Sequence, residues 1–294
     1  MYELIKVGKN TFYMDCPAKV GFYAIAENEV VLIDSGSDKD CAKKVKKILD
    51  ENSWTPKAIF NTHSHADHIG GNAFLQEKYN CKIYAAKTEA ASAENTIFEP
   101  TSLYGGFTMS ELRNKFLFAK PSRVDVLCED ALPSGFEIIP LPGHSYDMVG
   151  FKTPDDAVFI ADSLMSEATI DKYAVGFLYD VEAYIETLEK IKGINASCFV
   201  PSHAPVTDNI KALAQLNIDI TNKIADFIVN TLSTPLNFDS LLSKLFDNFN
   251  LTMNLQQRML VGFTVKSYLS YLKNKSFIDY MFENNIMLWK ATNK

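Results

Sequence analysis

One short segment, residues 61–71 with the sequence N-T-H-S-H-A-D-H-I-G-G, constrains this chain more than any other. It places three histidines and one aspartate within six positions, at His63, His65, Asp67 and His68. If the segment is extended, positions 63, 65 and 67 lie on one side of it, and His68 turns away where a helix begins. Such an arrangement can offer ligands to two neighbouring ions. Imidazole and carboxylate together suit zinc, iron or manganese.

The other histidines strengthen this interpretation. The chain has five histidines in all, and the remaining two, His144 in L-P-G-H-S and His203 in P-S-H-A-P, lie in short loops after strand-like runs. Loops at the ends of strands often present functional residues. The alternative is a polar loop whose histidines only form hydrogen bonds. The placement of all five histidines favours metal binding.

The order of these motifs resembles the metallo-β-lactamase superfamily. H-x-H-x-D-H is followed by G-H-S, by Asp162 at the end of an apolar strand pattern, and by a final S-H, over about residues 1–207. The resemblance implies an α/β fold, a four-layer αββα sandwich with two metal ions at one edge. The implied ligands are His63, His65 and His144 for the first ion, Asp67, His68 and His203 for the second, and Asp162 as a bridge between them. Asp34 resembles the strand-end aspartate that braces the metal loop without ligating, although a simple turn or cap is an equal alternative.

A shift in charge predicts a domain boundary near Asp208. Residues 1–207 carry 20 Lys and Arg against 29 Asp and Glu, whereas residues 208–294 carry 9 against 7. Helical patterns cover residues 210–232, 238–249 and 255–273, and two strand patterns follow at 277–282 and 286–290. This arrangement resembles the winged-helix appendage of some superfamily members. With so small a positive excess, packing or formation of a homodimer is favoured over DNA binding.

The five cysteines are dispersed and contain no C-x-x-C pair, so a disulfide framework is not expected and a reducing cytoplasm fits better. The first residues lack the basic flank and apolar stretch of a signal peptide. No apolar run approaches the roughly 18–20 residues of a membrane span. We therefore expect a cytoplasmic protein without membrane association.

Two irregular stretches are predicted beside the metal loop. After a helix predicted at residues 69–79, residues 88–120 break the alternation of strands and helices. Tyr104 and Phe107, beside Gly105 and Gly106, suggest a mobile aromatic flap, with packing into an ordinary hydrophobic layer as the alternative. The stretch at 163–180 contains further aromatic residues and is expected to form the other wall of the cleft; these residues are Tyr173, Phe177 and Tyr179.

Two divalent ions would leave a surplus of positive charge after Asp67 and Asp162 are counted. That surplus would turn a bridging water into hydroxide and attract an anionic or electron-rich small molecule. The sequence therefore predicts a metal-dependent hydrolase of a small ester, thioester, lactone or amide, nearest the glyoxalase-II-like branch, with Asp67 orienting the nucleophile. The alternatives are a phosphodiesterase or nuclease with the same metals, a single-iron persulfide dioxygenase, and a non-catalytic metal sensor. So acidic a catalytic half disfavours nucleic acid as a partner.

Overall fold

The computed structural model describes residues 2–130 and 132–292. In this part of the chain the first sheet contains seven strands, in the order β1 (Leu4–Lys6), β2 (Thr11–Met14), β3 (Val20–Ala26), β4 (Glu29–Ile33), β5 (Thr55–Phe60), β6 (Lys82–Ala85) and β7 (Val126–Leu127). The strands from β1 to β4 pair antiparallel, and those from β4 to β7 pair parallel.

A second sheet of four described strands faces the first. Its strands are β8 (Glu137–Pro140), β9 (Val149–Lys152), β10 (Ala157–Ala161) and β11 (Cys198–Pro201). Their order is β11-β10-β9-β8, and only β10 and β11 pair parallel. The remaining elements of the first 207 residues are the helices α1 (Lys39–Glu51), α2 (Ala66–Ile69), α3 (Asn72–Tyr79), α4 (Lys87–Glu94), α5 (Phe98–Tyr104), α6 (Glu167–Tyr173) and α7 (Val181–Lys192), with a 3₁₀ turn at Ser110–Leu112.

The layers follow from the alternation of side chains along the central strands. On β4, Val30 and Leu32 pack against α1 and α3, while Val31 and Ile33 pack against the second sheet. On β10, Phe159 faces the first sheet, and Val158 and Ile160 face α7 and the helices that follow it. Both sheets are therefore covered on two faces, and the predicted αββα sandwich is confirmed.

One edge of the sandwich collects the loops that carry the predicted site residues. β4 and β5 are parallel neighbours, and so are β10 and β11, so that Asp34, the 61–71 loop, Asp162 and His203 all follow strand ends on the same side. The Val149 backbone N–H donates to the Thr62 carbonyl oxygen at 2.9 Å, which ties the two sheets together at this edge.

Helices and a hairpin follow residue 207, as predicted. They are α8 (Lys211–Thr231), α9 (Phe238–Asn248), α10 (Leu255–Asn274), β12 (Ile278–Glu283) and β13 (Ile286–Ala291). Buried residues of these helices, such as Ile218, Leu242 and Val265, belong to the same hydrophobic cluster as Leu141 and Leu188 of the sandwich. The winged-helix arrangement, the boundary near Asp208 and the homodimer stay predictions.

Three predicted segments differ from the structure. The helix predicted at 69–79 is broken, because Gly70 and Gly71 separate α2 from α3. The stretch at 88–120, predicted to be irregular, contains α4 and α5, and the stretch at 163–180 contains α6. Among the described residues, no helix combines the length and apolar character needed to cross a membrane.

Candidate metal centre

The histidine-rich loop is fixed by Asp34, which lies at the end of β4 in a left-handed backbone conformation with φ of 61°. The buried Asp34 carboxylate accepts hydrogen bonds from the Thr62 backbone N–H and from the Thr62 hydroxyl, both at 2.8 Å. It also accepts one from His68 Nδ1 at 2.8 Å. Asp34 therefore holds the loop and His68 through side-chain contacts that a simple turn or cap residue would not make.

The imidazole rings of His63, His65 and His144 lie together and form a first group of candidate ligands. His65 Nδ1 lies 3.1 Å from His63 Nε2 and 3.0 Å from His144 Nε2. The opposite nitrogen of His144, Nδ1, is 3.0 Å from the Phe177 carbonyl oxygen. That carbonyl can only accept, so His144 carries its proton on Nδ1 and turns an unprotonated Nε2 towards the group.

A second group contains Asp67, His68, Asp162 and His203, whose candidate ligand atoms all lie within 4.8 Å of one another. His203 Nε2 is 3.1 Å from Asp162 Oδ2 and 3.2 Å from Asp67 Oδ2. Its Nδ1 donates to the Pro17 carbonyl oxygen at 2.7 Å. Asp162 stands between the two groups, because its Oδ2 is also 3.5 Å from His144 Nε2.

The second group contains two atoms that lack the partners a buried polar atom requires. His68 Nε2 and Asp162 Oδ1 are buried and 3.2 Å apart, yet neither has a hydrogen-bond partner of acceptable geometry among the described residues. Unpaired polar atoms are costly inside proteins. A nitrogen lone pair and a carboxylate oxygen are both good ligands for zinc or iron. The residues present therefore fit a metal ion.

The electrostatics of the two groups differ. Burial lowers the pKa of His65 and of His144 to about 4, so both rings stay neutral at neutral pH. For His203 burial also acts against the charged form, but the carboxylates of Asp162 and Asp67 outweigh it and raise the pKa to about 10. Without a cation the second group thus holds protons in place of metal, and a bound ion must displace them.

Sequence reasoning missed Glu89, a fully buried carboxylate on α4. Its Oε2 accepts from the Ser64 backbone N–H at 2.9 Å and from the Ser64 hydroxyl at 2.6 Å. Its Oε1 accepts from the Ser145 hydroxyl at 2.7 Å and from the Asp147 backbone N–H at 3.0 Å. Glu89 therefore joins the loop that carries His63 and His65 to the loop that carries His144.

Aromatic side chains wall the centre as predicted for the 163–180 stretch. Phe177 makes edge contacts with His65 and His144 at ring-centroid distances of 5.2 and 5.6 Å, and it stacks on Phe263 of α10 at 4.9 Å. Tyr173 and Tyr179 line cavities on either side of it.

The flap residues predicted from the sequence occupy other positions. Phe107 is 83% exposed, and Tyr104 lines a separate groove with Phe238 and Leu255. The same segment approaches the centre through Glu99, Ser102 and Leu103 instead.

All seven residues predicted as ligands lie in these two groups, and their role as ligands stays a prediction. The sequence profile of the metallo-beta-lactamase superfamily matches residues 15–203, a range that includes all seven positions and ends at His203. The chain belongs to this superfamily. Among curated relatives, the hydroxyacylglutathione hydrolase of Salmonella paratyphi C is 29% identical over 219 residues, covering 67% of this chain and 83% of that enzyme.

Other superfamily members extend the comparison. The hydroxyacylglutathione hydrolase of Nitrobacter hamburgensis is 29% identical over 153 residues, and the match spans about half of that enzyme, 51% of its length. A beta-lactamase domain protein from Burkholderia ambifaria superposes with a TM-score of 0.73 at 11% identity, covering 99% of this chain and 94% of that protein. A metallo-beta-lactamase family protein from Thermus thermophilus gives 0.72 at 15% identity, covering 96% and 98%. The predicted fold family and class of enzyme, a hydrolase, are confirmed.

Proposed function

We propose that the protein is a two-metal acyl hydrolase that cleaves a small ester, thioester, lactone or amide. His68 Nε2 and Asp162 Oδ1 carry this proposal, because they face each other at 3.2 Å without hydrogen-bond geometry and both could ligate one cation. The neighbouring group of three imidazoles offers a second, separate set of nitrogen ligands.

In this proposal His63, His65 and His144 would hold the first ion, and Asp67, His68 and His203 would hold the second. Asp162 would serve both, since its Oδ2 lies close to His144 on one side and to His203 on the other. Zinc fits this nitrogen and oxygen ligand set best, with iron and manganese as alternatives. Two divalent ions bound there would supply an activated water as nucleophile and a Lewis acid for the scissile carbonyl.

Asp67 is the side chain proposed to orient the nucleophile. Burial acts against ionisation of Asp67, but the adjacent His68 and His203 outweigh it and hold the pKa of the carboxyl below its usual value. An ionised carboxylate can accept a hydrogen bond from the nucleophile and so orient it. Its Oδ2 is 3.2 Å from His203 Nε2, so the orientation of Asp67 is set by the second group.

An acyl substrate is favoured over a phosphodiester by two observations. The part of the chain that carries the site has nine more acidic than basic side chains, which disfavours a polyanion. The curated relatives with matching sequence are named for hydrolysis of hydroxyacylglutathione, an acyl derivative.

A cytoplasmic setting fits the five free cysteines, four of them buried, in the described chain.

Elemental analysis of the purified and reconstituted protein tests the metal assignment. We expect two equivalents of metal per chain, one in His144→Ala, one in His203→Ala, and a loss at both positions in Asp162→Ala. A single equivalent of iron with no uptake of a second ion would contradict the proposal and favour the persulfide dioxygenase.

A substrate panel tests the reaction. The reconstituted protein is assayed with a thioester, a lactone, an aryl ester and a bis-phosphodiester, with Asp67→Ala as the matched inactive variant. Turnover of an acyl substrate that is lost in Asp67→Ala supports the proposal. Turnover of the phosphodiester alone would replace it with the nuclease.

A further inference from the structure

A cavity of about 250 Å³ opens directly beside the candidate metal centre. His144, Asp162 and His203 form part of its wall, and the 164–178 segment, Tyr184 and one turn of α10 form the rest. A group bound in this cavity would therefore lie next to the atoms that react. The side chains of its wall therefore indicate which chemical group of the substrate could bind there.

Most of the cavity wall is apolar, although Thr169, Tyr173 and Gln257 also line it. Its buried side chains are Leu164, Val175, Leu178 and Val261, with Met165 and Leu260 half-buried beside them. Tyr184 also lines the cavity, but its hydroxyl donates to Asn217 Oδ1 at 3.1 Å and so is already paired. Apart from the three candidate ligands, none of the described residues that line the cavity is Asp, Glu, Lys or Arg. Away from the candidate metal centre, a charged group placed there would lose hydration without gaining a charged partner.

A second pocket lies on the other side of Phe177, beside His65. It is lined by Glu99 and Leu103 and by the hydroxyl-bearing residues Ser102 and Tyr146. Its volume is only about 20 Å³, which is too small for an acyl chain. The cavity of about 250 Å³ is therefore the better place for the acyl arm.

The size of the cavity limits the acyl arm. An apolar cavity of about 150 Å³ is enough for benzene, so a cavity of 250 Å³ takes roughly ten non-hydrogen atoms. Neither this cavity nor the pocket beside His65 is lined by a Lys or Arg among the described residues. The two carboxylates of a glutathione thioester would find no cationic side chain in either place.

We propose that the substrate has an uncharged, apolar acyl arm of up to about ten non-hydrogen atoms, which is seated between the 164–178 segment and Leu260 of α10. This inference rests on the proposed acyl hydrolase and names the substrate class of the same site. It departs from the glutathione thioesters for which the curated relatives are named.

Esters of graded chain length test the inference with the metal-reconstituted full chain. Aryl esters of acetate, butyrate, hexanoate and octanoate are compared with the mono-ester of suberate, which ends in a carboxylate, and with a hydroxyacylglutathione. We expect kcat/KM to rise about fourfold for each added methylene until the cavity is full. The terminal carboxylate should lower kcat/KM by about a hundredfold relative to octanoate.

A variant that fills the cavity provides the structural control. Leu260→Trp should lower kcat/KM much more for the octanoyl ester than for the acetyl ester, so that the ratio of the two values falls to about one. Leu255→Trp, at a position on the same helix that is 39% exposed and outside the cavity, should leave both values unchanged. Calorimetry with octanamide, a neutral ligand, measures occupancy of the cavity without any reaction.

The outcomes separate the two proposals. If octanamide binds to the protein and not to Leu260→Trp, but no ester is cleaved, the cavity assignment stands and the proposed hydrolase is wrong. If esters are cleaved with no gain from acetate to octanoate, the hydrolase stands and the acyl arm is wrong. Preference for the suberate mono-ester or for the glutathione thioester would likewise overturn the inference.

Discussion

Two buried carboxylates that are not proposed as ligands, Asp34 and Glu89, position most of the residues that are. Asp34 holds Thr62 and His68, while Glu89 holds Ser64 and the loop of His144. Partners of this kind fix the orientation of metal ligands, and their loss typically lowers metal affinity about 10–100-fold. We therefore expect both carboxylates to increase metal affinity although neither contacts a metal ion.

Glu89→Gln tests this role with almost no change of shape. The carboxylate accepts four hydrogen bonds, two of them from backbone N–H groups. An amide has only one oxygen, so one N–H must face an NH₂ group, at a cost of about 1–3 kcal/mol. We expect a lower thermal midpoint and about tenfold weaker metal affinity, measured by competition with a chelator. The exposed Glu77, changed to Gln, is the control, and equal metal affinity in both variants would refute the role.

The histidines predict how the stability of the metal-free protein depends on pH. The unfolded chain binds protons on His65 and His144 below about pH 6.5, but the folded protein does not until about pH 4, where their lowered pKa values lie. Stability therefore decreases as pH falls through this window. His203 acts oppositely: its pKa is raised to about 10, so its contribution is complete below about pH 6.5 and is lost as pH rises through 10.

The thermal midpoint of the protein treated with a chelator should therefore be highest near pH 6.5. His144→Gln should make the acid side of the profile shallower and leave the alkaline side unchanged. A midpoint that is flat between pH 5 and pH 9 would contradict the assignment of these protonation states.

The seven candidate ligands could be named from the sequence, whereas Glu89 could not. Four of the seven lie within six adjacent positions, so the local pattern alone singles them out. Glu89 lies in an alanine-rich stretch, and its partners are 25 to 58 positions away in the chain. Its burial results from the way α4 packs beside two loops, which no local pattern encodes.

At the scale of elements, the break between α2 and α3 is required by packing. A Cβ atom on Gly70 would fall directly on the Ser37 carbonyl oxygen, and one on Gly71 would fall on that of Ser35. Both glycines have ordinary negative φ values, so close approach and not backbone strain selects them. This approach brings the metal loop against the end of β4, where Asp34 lies.

Gly70→Ala should therefore destabilise the protein by about 1–3 kcal/mol and weaken metal binding, because the loop must move away from Ser37. Gly106→Ala is the matched control, since the nearest atom to its added Cβ is 3.9 Å away. Urea unfolding and chelator competition on both variants measure the two effects. If the two variants have the same free energy of unfolding and the same metal affinity, the close contact at Gly70 does not determine either quantity.

The apolar strand pattern before Asp162 was predicted, whereas the helices beside the site were not, for physical reasons. β4 and β10 have long apolar runs between turn signals, which identify buried strands. α4 buries small side chains such as Ala90 and Ala93, so its apolar periodicity is weak. α5 carries Pro100 in its first turn, where proline is tolerated but suggests a break when only the sequence is considered.

For the whole molecule, the sequence predicts the elements after residue 207 but not their attachment to the sandwich. Val261 and Leu260 of α10 wall the cavity beside the centre, and Phe263 stacks on Phe177. These contacts join side chains that are far apart in the chain, and composition carries no information about them. The C-terminal helices therefore form part of the cleft, whatever further role they have.

The overall charge distinguishes a small-molecule hydrolase from a nuclease in solution. A protein that neutralises several phosphates releases counterions, so its affinity falls steeply with salt. Residues 1–207 carry nine more acidic than basic side chains, and residues 208–294 carry only two more basic than acidic ones. Such a surface repels a polyanion, whereas a small uncharged ester is almost insensitive to it.

We therefore expect KM for a small acyl substrate to change less than about twofold between low and physiological salt. Single-stranded RNA and DNA should show no binding at physiological salt in a fluorescence anisotropy assay. The same titration on Asp67→Ala controls for contacts at the centre itself. Tight oligonucleotide binding that weakens steeply with salt, together with cleavage that Asp67→Ala abolishes, would establish the nuclease in place of the acyl hydrolase, because only a polyanion releases counterions in that way.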